Sequence, residues 1–203
     1  MRIRILFTLL MLVGAFTASA QSIESEFTRE LKTKNSGITS IHAEMTQIRE
    51  VAVLADAVTK EGEFYYLEPA NLLLAFEDGD YIKLTAEWFE MRSGSSVTRR
   101  STSANPMLKQ LSAILSACMS GNLEGIAKGF TPTITKSDKQ WRVVLQPERS
   151  KGGVKIAQIE LLFNRTDMSL DSLKMVEKSG DCTIYTFRNK QFNVVINDQL
   201  FTI

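Results

Sequence analysis

The pattern of apolar and polar positions changes period at Gly37. Before it, Ile23, Phe27 and Leu31 recur every four residues, with Ser22 ahead of them as a cap and Glu24 and Glu26 in the first turn, where carboxylates favour a helix. The spacing predicts a short helix ending near Asn35-Ser36-Gly37. After Gly37 the period is two: Ile41, Ala43 and Met45 alternate with Ser40, His42, Glu44 and Thr46, as in a strand covered on one face. Strand patterns then follow at Glu61 to Leu67, Asn71 to Phe76, Tyr81 to Thr85 and Trp88 to Arg92, separated by the turn-like stretches at Glu68-Pro69-Ala70, Asp78-Gly79-Asp80 and Thr85-Ala86-Glu87. Connections this short join antiparallel neighbours, because a parallel crossover needs a dozen or more residues.

A helix interrupts the strands. Asn105 is placed to cap it, Pro106 takes its first position and Gly121 lies just past its end. Met107, Leu111, Ile114 and Cys118 form one stripe, Leu108 and Leu115 widen it, and Lys109 is its only charge, so the helix must be covered on most sides. A second helical turn is expected from Asn122 to Lys128, closed by Gly129. Strands resume at Trp141 to Leu145, Val154 to Phe163, Leu170 to Val176, Cys182 to Phe187 and Phe192 to Ile196, with turns at Ser150 to Gly153, Arg165 to Asp167 and Ser179 to Asp181. Roughly ten strands and two or three helices do not make an alternating βαβ fold. The expected class is mainly β (α+β): one strongly curved antiparallel sheet with its helices on a single side.

The first twenty residues change where this sheet is expected to be found. Arg2 and Arg4 precede the apolar run Ile5 to Phe16, followed by Ala18-Ser19-Ala20, the layout of a secretory signal cut after Ala20. The run is short of the ~20 apolar residues that span a bilayer. Residues 21–203 are then one mature domain outside the cytoplasm, beginning at Gln21 rather than at a lipid-bearing cysteine. Loss of Arg2 and Arg4, from 24 basic residues against 23 acidic, turns the net charge from +1 to −1. Nucleic acid as a partner requires a basic excess or patch, and none is visible. Cys118 and Cys182 are two thiols in an oxidising compartment, and the sequence leaves open whether they pair.

Little in the chain suggests covalent chemistry. His42 is the only histidine, lies on the polar side of its strand, and has no G-x-S-x-G or other nucleophile signature to serve. One histidine and two distant cysteines form no metal-ligand spacing, no cofactor motif is present, and no spacing recommends a carboxylate pair. The surplus is apolar instead. Phe64, Tyr66, Leu72, Leu74 and Phe76 recur on adjacent strands, facing Met107, Leu108, Leu111, Ile114 and Leu115 of the inserted helix. A curved sheet opposite such a helix encloses either a packed core or a lined cavity, and periodicity does not decide between them.

In order and spacing, "SIHAEMTQ", "GEFYYLEPANLLLAF", "NPMLKQLSAIL", "WRVVLQP" and "VVINDQLF" resemble the LolA-type family of periplasmic outer-membrane lipoprotein carriers, across nearly all of residues 22–203. The resemblance implies an unclosed antiparallel β-barrel of about eleven strands covered by short lid helices. It implies an acyl-chain cavity containing Met45, Phe64, Tyr66, Leu72, Leu74 and Phe76, with Met107, Leu108, Leu111, Ile114 and Leu115 on the lid. It also implies a monomeric, non-enzymatic periplasmic carrier of acylated lipoproteins, loaded by an inner-membrane exporter and unloaded at an outer-membrane acceptor. A related module carrying another amphiphile, such as a glycolipid, or sensing lipoproteins for a regulator is the alternative. Two positions depart from the family pattern: Glu68 stands where well-studied carriers have an arginine latch for the lid, and Leu73 where many relatives are polar or basic. The chain also ends at Phe201-Thr202-Ile203, without the further C-terminal segment some carriers have.

Overall fold

The computed structural model describes residues 23–53, 56–102, 106–121, 129–148 and 155–202, with the side chains of the second helix described from 112 to 119. The signal 1–20, the caps Ser22 and Asn105, the helical turn 122–128 and the turn 150–153 lie outside these residues.

Helix α1 covers residues 23–35. Six strands follow: β1 (Ser40–Glu50), β2 (Val58–Leu67), β3 (Asn71–Phe76), β4 (Tyr81–Leu84), β5 (Trp88–Ser93) and β6 (Ser96–Ser101). Helix α2 (Pro106–Ser120) precedes β7 (Phe130–Lys136), β8 (Gln140–Pro147), β9 (Ile156–Asn164), β10 (Leu170–Glu177) and β11 (Cys182–Phe192), and a 3-10 turn closes at Asp198–Phe201. All eleven strands join one sheet in the order β6-β5-β4-β3-β2-β1-β11-β10-β9-β8-β7, and every pairing is antiparallel. Strands β6 and β7 are the two free edges. The chain linking them contains α2, so topology alone sends this helix across the open side.

Two strands were not legible in the hydrophobic pattern, and both are edges. Strand β6 reads SVTRRS, with Val97 its only large apolar residue, because an edge outside the core has little to bury. Strand β7 contains Pro132, which is tolerated at an edge where its missing N–H takes no ladder bond away. The strand expected at Phe192 to Ile196 is not one. Strand β11 runs through Phe192, then Asn193 turns the chain at φ 56°, and its side chain holds Thr39 N (2.8 Å) and Gly37 O (3.1 Å). The final segment returns over the outer face, where Lys83 donates to Thr202 O (2.9 Å) and the 3-10 turn touches β3. Leu73, on the outer face of β3, and Phe201 are both buried, which gives the apolar residue at position 73 its packing reason.

Register assigns each strand's two faces. Directly opposed residues share a face, so the rows Met45–Phe187, Ala43–Phe64–Leu74–Ile82 and Ile41–Tyr66–Leu72–Leu84–Phe89 all point inward. The inner face continues through Tyr185, Leu173, Leu161 and Val143. Helix α1 lies on it: Phe27 meets Trp141 at 5.4 Å and Phe163 at 5.3 Å between ring centroids, and all three are essentially fully buried. Each such side chain contributes about 1.5–3 kcal/mol. Trp141 spends its N–H on Glu30 (3.0 Å), while Lys136 lies over the Trp141 ring at 4.8 Å and pairs with Glu26 at 2.6 Å.

Helix α2 is fixed at its C-terminal end. The buried Asn35 amide donates to Cys118 O and to Met168 O, each at 3.2 Å, tying α1 to α2 and to the β9–β10 turn. Gly121 ends α2 at φ 74°, and a Cβ there would lie 2.8 Å from Leu31 O. Gly94 has a similar φ of 58° with nothing nearby. Left-handed backbone costs an L-residue roughly 1–2 kcal/mol, so Gly94→Ala is expected to lose about 1 kcal/mol. Gly121→Ala, strained and also clashing with α1, is expected to lose about 3 kcal/mol or more. Urea unfolding of the two variants measures the difference, and equal losses would remove the helix-docking role of Gly121.

Candidate functional site

The inner face is not filled. Between the sheet and α2 lies a partly open space of ≈ 210 Å³. On one side its wall is Phe64 of β2, Leu72 and Leu74 of β3, Ile82 and Leu84 of β4, and Phe89 of β5. Leu173 and Met175 of β10 and Tyr185 and Phe187 of β11 form the other side, and Leu115 of α2 closes it. Strand alternation puts these residues there, since each is the inward member of its pair. The only polar atom these side chains carry is the Tyr185 hydroxyl. This volume exceeds the roughly 150 Å³ of an apolar cavity that takes a benzene-sized guest, yet falls below the 300–1,000 Å³ of drug-sized ligand pockets. As it stands the space suits part of one chain, and a bulkier occupant requires α2 to move.

The structure places the residues singled out from sequence in three groups. Phe64, Leu72, Leu74 and Leu115 line the space. Met45, Tyr66, Phe76 and Ile114 are buried in the surrounding core, Ile114 and Tyr66 at 0 % exposure. The side chains of Met107, Leu108 and Leu111 lie outside the described residues. Seven lining residues were missed: Ile82, Leu84, Phe89, Leu173, Met175, Tyr185 and Phe187. Their signal was present as alternation within their own strands, but pairing register is needed to know which strands share a wall.

Glu68 sits exposed in the β2–β3 turn. Its backbone N–H donates to Thr39 O (2.9 Å), and its carboxylate makes no hydrogen bond or ion pair among the described residues. Helix α2 is held at its C-terminal end by Asn35. Cys118 and Cys182 are both buried free thiols, and burial raises the pKa of each.

His42 lies on the outer face, stacked on Tyr65 at 4.7 Å and 5°, with Nε2 2.7 Å from Glu63 Oε2. The groove beside it is lined by Tyr65, Gln191, Val194, Val195, Ile196, Asn197 and Leu200, with no serine, threonine or cysteine. Among the described residues no three His, Cys, Asp or Glu side chains cluster as metal ligands, and no helix is long and apolar enough to cross a membrane.

Residues 36–203 match the family model described as "Outer membrane lipoprotein carrier protein LolA". The chain belongs to the LolA family. Its fold recurs in an uncharacterized conserved protein from Thermus thermophilus, with a TM-score of 0.52, 11% identity, and coverage of 89% of this chain and 93% of that one. A putative outer membrane lipoprotein-sorting protein domain from Vibrio parahaemolyticus gives a TM-score of 0.47 at 12% identity, over 87% of this chain and 94% of that one. A LolA superfamily protein from Nitrosomonas europaea gives 0.43 at 12% identity, over 91% and 97%. No curated protein matches this LolA family chain in sequence. The family is one of binding and carrier proteins.

Tyr66 offers a test of how this core differs from a saturated one. Its hydroxyl is buried with no hydrogen-bond partner among the described residues, and burial, reinforced by the charge of Glu68, pushes its pKa up to about 12. An unmet buried hydroxyl costs roughly 1–3 kcal/mol. Tyr66→Phe is therefore expected to leave stability unchanged or raise it by about 1 kcal/mol, read from chemical denaturation. A loss above that size would mean that the hydroxyl has a partner.

Proposed function

We propose that this LolA family member is a periplasmic carrier that shields the acyl chains of lipoproteins and delivers them to the outer membrane. The observation that carries the reading is the apolar space between the unclosed sheet and α2, roofed by Leu115. Each methylene moved from water into such a lining contributes ~0.8 kcal/mol, so a chain of a dozen or more carbons is held firmly without a covalent bond. Release follows when the covering helix moves. The N-terminal pattern of Arg2, Arg4 and Ile5 to Phe16 supports export and removal of residues 1–20, leaving one domain from 21 to 203. An inner-membrane exporter as donor and an outer-membrane acceptor complete the route, with the chain acting as a monomer.

Several features support binding rather than catalysis. His42 is engaged by Tyr65 and Glu63 on the face away from the cavity, and the thiols are buried and raised in pKa. Phe64, Leu72, Leu74 and Leu115 are assigned to the acyl contact. Met45, Tyr66, Phe76 and Ile114 form its packed support.

Two residues adjacent on α2 separate cavity from core. Leu115→Asp brings a charge into the cavity and is expected to weaken binding of a fluorescent acyl probe at least tenfold, with the domain still folded. Ile114→Asp, in the core, is expected to remove several kcal/mol and unfold the domain. Probe titration and thermal unfolding of both variants distinguish the two sites; global unfolding by Leu115→Asp would favour a packed core. Mass analysis of what co-purifies with the cell-derived protein tests the cargo directly. Diacyl or triacyl protein supports the carrier, and free lipid alone counts against lipoprotein as the load.

A further inference from the structure

The cavity lining carries one hydroxyl, that of Tyr185, and polar residues of the adjacent strand share its inward face. Tyr185 of β11 lines the space and lies directly opposite Gln47 of β1, whose amide donates to the Tyr185 hydroxyl at 2.8 Å. That bond uses the hydroxyl oxygen as acceptor, so its own O–H remains free to donate. No second partner takes it among the described residues. Arg49 follows Gln47 by two residues and therefore shares its inward face. It is exposed, with no carboxylate partner among the described residues. The neighbouring inward cation, Lys60, is already held by Asp78 (2.7 Å) and Asp80 (2.5 Å). Burial raises the Tyr185 pKa, while the Gln47 bond and the charge of Arg49 draw it back.

We infer that the cavity binds a single-chain amphiphile ending in a carboxylate, such as a long-chain fatty acid, with the acid group accepting hydrogen bonds from Tyr185 and Arg49 and the tail running toward Leu72 and Leu84. A buried hydroxyl donor and, on the same inward face, a guanidinium with no carboxylate partner among the described residues fit an anion. A neutral ester or amide gains no ion pair there. The exposed Arg49 leaves one side of the carboxylate in water, so the charge is never buried without a partner. The ≈ 210 Å³ of space takes part of one chain and has no room for several.

This rests on the apolar cavity of the proposed carrier and not on lipoprotein as its load, and the two are separable by titrating the protein with oleate and with methyl oleate. Wild type is expected to bind oleate roughly tenfold or more tighter than the ester, the range of a hydrogen bond to a charged group. Tyr185→Phe and Arg49→Gln are each expected to lose about tenfold toward oleate and to leave the ester within about twofold. Equal wild-type affinities, or variants that weaken acid and ester alike, overturn the carboxylate site and leave the apolar cavity standing. If neither compound binds, the cavity reading falls and this inference with it.

Discussion

An antiparallel sheet that curls through eleven strands without joining its ends must cover its inner face with something other than itself. That constraint organises the whole molecule. Alternation along each strand commits one side to apolar residues, and register lines those residues into rows from β5 to β8. Helix α1 covers one part through Phe27, Trp141 and Phe163. Helix α2 covers another because it connects the two free edges. The two coverings are unequal: α1 packs aromatic rings against rings, whereas α2 leaves a space above Leu72, Leu74 and Leu84.

The unequal covering leaves a space where an even one would leave a packed core. A helix packed along its length would fill that space, and one unattached would expose an apolar face to water. Asn35 and Gly121 fix the C-terminal end of α2 against α1, while Leu115, further toward the N-terminal end, meets the cavity through dispersion contacts alone. Those contacts are individually weak and independent of direction. Any apolar group that took the place of Leu115 would exchange one buried surface for another and leave the sheet's hydrogen bonds untouched.

Much of this was legible in sequence wherever one face is buried and the other wet. Ile41, Ala43 and Met45 marked β1, and Asn71 to Phe76 coincided with β3. What failed did so for physical reasons. Strand β6 has no face to bury and so carries no alternation, and Pro132 disguised β7. Asn193 ends β11 by a left-handed turn that its own side-chain hydrogen bonds to Thr39 and Gly37 stabilise, where alternation alone suggested a further strand. Within the site, the apolar strand residues named from sequence divide between lining and support. Phe64 and Leu74 face the space while Met45 and Phe76 lie behind it. Period two gives the face, but only the depth of the curved wall gives the layer.

The departures from the family pattern follow from the same division of labour. There is no arginine before Pro69, and the attachment of α2 among the described residues is at its C-terminal end, where a buried amide bonds the carbonyls of Cys118 and Met168. An ion pair at an exposed turn would be screened and worth about 0–1 kcal/mol, whereas removing a buried amide leaves two acceptors unmet. Leu73 shows a complementary change on the outer face, where the returning C-terminal segment makes a covered position of one that is open to water in a bare strand. In this chain the described attachment of α2 lies where polar groups are dry, at its C-terminal end, and Leu115 turns an apolar surface to the space.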